Sequence, residues 1–138
     1  MTKQQNSGQL PASFRDPSGF LFSRGGVLYR QVNPAYGREY ACLMESGLYE
    51  KLVKARLLIP HVELDPSSIE PEAAGATAHK VIRPERVAFI SYPYEWSFSQ
   101  LRDAALATLS IQKRALKLGM SLKDASAYNI QFVRGKAT

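Results

Sequence analysis

Gly119-Met-Ser-Leu-Lys-Asp124-Ala-Ser-Ala-Tyr-Asn129-Ile-Gln-Phe-Val133 sets an acid and an amide five residues apart, between the end of a helical pattern and the start of a β-prone run. At this spacing a phosphoryl-transfer loop places an Asp that accepts the proton of the attacking hydroxyl and an Asn that holds a magnesium ion. Asp124 is therefore a candidate base and Asn129 a candidate magnesium ligand. Leu122-Lys123 stands where such a loop carries His-Arg. The D-x-x-x-x-N core is a weak signal alone, and its weight comes from the helix before it and the strand after it. The same residues also suit a plain turn, with Asp closing an Asx-turn and Asn capping in the left-handed region.

Upstream of the loop, Ser97 with Gln100 three residues later forms a capping-box pattern, and Gly119 is a helix stop. Between them Leu101, Ala105, Thr108, Gln112 and Leu116, with Ala104 and Leu109 beside them, trace helical faces. The spacing predicts one helix over 97–118 with Leu101, Ala105 and Leu109 facing inward. Tyr92-Pro-Tyr-Glu-Trp96 reads as an aromatic connector. Its Tyr92, Tyr94 and Trp96 suit either packing against the core or stacking on a flat ligand such as adenine. Lys80–Pro84 and Arg86–Ser91 read as one interrupted strand or two short ones, with Pro84 at an edge or turn.

Nearer the start, Phe20–Ser23 and Val27–Val32 flank the pair Gly25-Gly26, a hairpin signature. Asn33-Pro34 opens a helical pattern over 36–55 that Gly47 divides in two. Leu57–Ile59 and His61–Leu64 are short strand candidates, and 65–78 reads as a loop. Residues 1–13 read as a disordered polar lead, and 14–138 as one domain. Past Val133 a turn at Arg134–Lys136 leads into a strand that has barely begun, so a domain incomplete at its C-terminal end is expected.

The chain has 138 residues, 45% hydrophobic and 22% charged, the composition of a globular domain without a membrane span or secretory leader. Cys42 is alone, which excludes an internal disulfide framework and suits a cytoplasmic location. The net charge of +6 is concentrated late: residues 97–138 carry 7 basic and 2 acidic groups, against 11 and 10 before them. Such a surplus attracts phosphates. Arg102, Lys113, Arg114 and Lys117 also suit the solvated face of a helix, and no interleaved basic and aromatic pattern points to nucleic acid. His61 and His79 have no paired metal-ligand spacing and read as ordinary histidines.

Strand pair, helix, strands, connector, long helix, D-x-x-x-x-N loop and strand follow the order of a protein-kinase small lobe, hinge and start of the large lobe. The expected fold is thus α+β, a reduced kinase-like small lobe plus the first helix and catalytic loop of the large lobe. In that scheme Arg30 takes the place of the phosphate-pairing Lys, with Glu45 or Glu50 as its helical partner. Lys80 is a second candidate phosphate contact. ATP and magnesium are the corresponding ligands. Gly19, Gly25 and Gly26 do not form a G-x-G-x-x-G cover, and a second magnesium-binding Asp is missing, so phosphotransfer by this chain alone is not expected.

Asp16-Pro-Ser-Gly-Phe20, Leu28–Asn33, Ser46–Tyr49, Lys80–Glu85, Ile90–Leu101 and Leu122–Phe132 together resemble the N-terminal region of a bacterial family of class I S-adenosylmethionine-dependent methyltransferases. The similarity covers about residues 14–136. It implies a positioning role for substrate or nucleotide, with a methyl-transfer domain elsewhere in a longer parent chain as partner. Nothing here supplies a strand, a glycine-rich turn and an acidic ribose ligand in Rossmann order, so no S-adenosylmethionine-binding position is assigned. A purely structural interaction domain is the other alternative.

Overall fold

The computed structural model describes residues 16–69 and 77–138 together with the backbone of Gly8–Gln9. The architecture is mixed α+β, in two compact units: residues 1–42 with 60–86, and residues 43–59 with 87–138.

In the first unit Gly25 and Gly26 take φ of 55° and 78° and turn β2 (Gly19–Arg24) into β3 (Val27–Val32). Two successive positive φ angles match the twist of a tight hairpin and carry no Cβ penalty in glycine. The strands pair from Gly19↔Val32 to Arg24↔Val27. After β3 comes helix α1 (Gly37–Glu45), which opens in this unit. The chain then returns as β4 (His61–Leu64), which pairs with β5 (Lys80–Pro84), and β5 lies against β3. With β1 (Gly8–Gln9) this makes an antiparallel sheet of order β1-β2-β3-β5-β4. Phe20, Phe22 and Val81 form its buried cluster, with Tyr29, Ile69 and Ala78 packed on it. Gly8–Gln9, inside the expected disordered lead, pair instead with Ser23 and Phe22 of β2, while the rest of that lead and part of the expected 65–78 loop lie outside the described residues.

The second unit is built on α2 (Leu48–Lys54) and α3 (Phe98–Leu116), with a hairpin of β6 (Phe132–Val133) and β7 (Lys136–Ala137). Ser97 and Gln100 cap α3 reciprocally, as their spacing predicts. At its far end Gly119 (φ 73°) closes a Schellman motif, with Met120 N–H donating to Ala115 and Gly119 N–H to Leu116. Leu48, Leu52, Leu57, Trp96, Ala104, Ala107, Ala115, Ile130 and Ala137 form one core.

Three expectations are corrected. The face of α3 that turns inward is the small one, Ala104, Ala107 and Ala115, whereas Leu101 and Leu109 are 43% and 64% exposed. The helix carries apolar stripes on two sides, and alanines let its backbone approach α2 and β7 closely. Leu57–Ile59 is no strand: Arg56, at φ 57°, ends α2 in a second Schellman motif, and Leu57 N–H donates to Leu52. Arg86–Ser91 forms no strand either. The Gln131 side chain does a neighbouring strand's work there, accepting from Ser91 N–H at 3.0 Å and donating to its carbonyl at 3.1 Å.

Candidate functional site

The D-x-x-x-x-N loop continues from the α3 stop into a 3-10 turn over Ala127–Asn129. Asp124 Oδ1 accepts from Ser126 N–H at 3.2 Å, an Asx-turn, and Asn129 Nδ2 donates to Ser126 Oγ at 3.3 Å. One serine thus engages both candidate residues, and all three are exposed. Exposed bonds of this kind hold a local backbone shape more than they stabilise a fold.

In the other unit, Arg30 on β3 and Lys80 on β5 share a sheet face, since Arg30 opposes Ile82 and Lys80 opposes Val32. Each is met by a carboxylate at 3.0 Å, Arg30 by Asp16 and Lys80 by Glu63. Glu63 extends this pairing into a cluster: its other oxygen accepts from Tyr40 Oη at 2.8 Å, and Tyr40 Oη is 3.0 Å from His61 Nε2. His79 lies edge-on to the Tyr40 ring and under Gly37, whose missing side chain leaves it room: a Cβ there would stand 3.1 Å from its Nδ1. Burial holds the His61 imidazole below its ordinary pKa against the raising influence of Glu63. The hydrogen bond from Lys80 is the largest cause of the lowered Glu63 pKa. Among the described residues no group of three His, Cys, Asp or Glu converges as a metal site.

The aromatic connector divides its labour. Trp96 is buried, edge-on to Phe132 at 5.1 Å, with Nε1–H donating to Ser91 Oγ at 2.9 Å. Tyr92 and Tyr94 stack on each other at 5.6 Å and stay exposed.

A cleft of about 540 Å³ opens between the C-terminal ends of α2 and α3, floored by Leu48 and Leu118 and rimmed by Lys51, Lys54, Arg114 and Lys117. None of the ion pairs among the described residues includes these four cations. Arg114 is steadied from behind, its Nη1 donating to the carbonyl and hydroxyl of Ser110.

Among curated proteins the chain is similar to the nodulation protein NoeA of Rhizobium meliloti (strain 1021), with 35% identity over 131 residues. The match covers 95% of this chain and 27% of that relative, so the chain spans about a quarter of its length. No family model and no solved structure matches.

Sequence reasoning placed Arg114 and Lys117 on a solvated helix face but missed Lys51 and Lys54. The i, i+3 spacing of both pairs was the available signal, since it puts each pair on one helix side. Tyr40 and Glu63 left no signal, because only the return of β4 beside α1 brings them together.

Proposed function

We propose that this chain is a substrate- or nucleotide-positioning domain of a longer protein of the S-adenosylmethionine-dependent methyltransferase family. The methyl-transfer chemistry belongs to another part of that protein. The resemblance over residues 14–136 supports the family. The order of sheet, inserted helix, capped long helix, D-x-x-x-x-N loop and hairpin supports a kinase-like build. Positioning rather than phosphotransfer rests on one observation: Ser126 takes Asp124 and Asn129 into the hydrogen bonds of a turn. A base and a metal ligand must instead reach a shared substrate.

The alternative is a truncated kinase-like phosphotransferase lobe using ATP and magnesium, favoured by the D-x-x-x-x-N spacing of Asp124 and Asn129 after a long helix. The two separate on ATP hydrolysis with magnesium by the longer parent protein, compared with its Asp124→Ala and Asn129→Ala variants. Positioning predicts no turnover in any of the three and a slight stability loss in both variants. Turnover that vanishes in a fully folded variant establishes the phosphotransferase instead.

A further inference from the structure

We infer that the cleft between the ends of α2 and α3 binds a phosphate monoester with an adjoining apolar group. Four cations rim it, Lys51 and Lys54 from one helix and Arg114 and Lys117 from the other, and no carboxylate lines it. Like charges gathered this way repel one another, so the arrangement is favourable where something neutralises it.

The helix ends themselves do part of this. Each helix C-terminus carries about half a negative charge, so two offset roughly one of the four positive charges. About three remain, which suits a phosphate dianion better than a carboxylate. Arg114 adds a planar fork that matches phosphate oxygens two at a time, and Ser110 fixes where that fork points. The two lysines of α2 act as mobile point charges on the opposite wall.

The floor decides the rest of the ligand. Leu48 is 3% exposed and Leu118 half-buried, so the base of the cleft is apolar and already formed by the core. The cleft is an open groove of about 540 Å³, far more than a bare phosphate fills. An apolar group beside the phosphate would pack on the half-buried Leu118 and Ala55 while its charge met the rim. The site uses none of the residues of the Asp124–Asn129 loop, so it stands or falls independently of the function proposed above.

Phenyl phosphate is the probe, titrated into the labelled chain and followed by amide chemical shifts, with inorganic phosphate for comparison. The expected result is saturable binding with the largest shifts at residues 48–55 and 114–118, tighter for phenyl phosphate than for inorganic phosphate. Lys51→Ala/Lys54→Ala should weaken it about tenfold or more, and Arg114→Lys should weaken it while preserving charge, because the fork is lost. Should the double variant fail to fold, Lys117→Glu at an exposed position carries the same expectation. Phosphatidylcholine vesicles with and without phosphatidic acid decide the source: phosphatidic-acid-dependent pelleting that Lys117→Glu abolishes assigns a lipid headgroup, and its absence beside phenyl phosphate binding assigns a soluble ester. No saturable binding of phenyl phosphate, binding unchanged in the variants, or binding confined to long polyanions such as RNA overturns the inference.

Discussion

Tyr40 donates its phenolic hydrogen to Glu63 across 2.8 Å while standing 3.0 Å from His61, so one side chain of α1 is tied to two same-face residues of β4. The ring is 5% exposed and its hydroxyl is the polar point of contact between helix and strand. Tyr40→Phe keeps the ring and removes the hydrogen bond that its hydroxyl donates to the Glu63 carboxylate, at a cost of about 1–2 kcal/mol. A lowered urea midpoint with unchanged slope is the expected observation. An unchanged midpoint would mean that water replaces the phenol at no loss.

The same cluster sets a pH dependence. His61 and Glu63 both have folded pKa values below their ordinary ones, His61 through burial and Glu63 chiefly through Lys80. A lowered pKa in either group means that the unfolded chain takes up the proton first, so stability falls as pH falls. The His61 share begins to be lost below its ordinary value near 6.5, and the Glu63 share below its ordinary value near 4.5. Unfolding followed from pH 8 to pH 5 should show a decline that His61→Gln flattens. A decline identical in that variant assigns the pH dependence to other groups.

The inward face of α3 makes a paired prediction. Ala107→Leu drives a large side chain into the alanine-lined contact and should cost about 1–3 kcal/mol. Leu109→Ala, at a position 64% exposed, should change stability by no more than about 0.5 kcal/mol. Chemical denaturation of both variants checks the direction of the helix, and the reverse ranking would show it rotated.

Gly19 starts β2 opposite Val32, the last residue of β3, at the open end of the hairpin. A Cβ at this position would lie 2.0 Å from the carbonyl oxygen of Gln31, and backbone cannot swing aside as a flexible side chain can. Gly19→Ala should therefore break the Gly19↔Val32 end of the pairing and cost about 3 kcal/mol. Hydrogen exchange gives the local readout, with protection lost at Asn33, whose N–H donates to Ser18. Full protection in the variant would contradict this.

What the sequence determined by itself was local. The Gly25-Gly26 hairpin, the Ser97–Gln100 cap and the Gly119 stop arise from interactions spanning a few residues, so they are legible wherever the residues stand together. The α+β class followed from them, though the strands expected at Leu57–Ile59 and Arg86–Ser91 did not form. Tertiary structure decided which stripe of α3 faces inward, because a helix apolar on two sides is oriented only by its neighbours. It also decided that Arg56, an unusual residue for a left-handed helix stop, ends α2, and that Gln131 stands in for a strand beside Ser91. The candidate sites divide in the same way. Asp124 and Asn129 were visible as a spacing, but their shared attachment to Ser126 depends on the loop's conformation. The cationic cleft joins two pairs distant in sequence, and charges come together in this way only when packing sets the helices that carry them end by end.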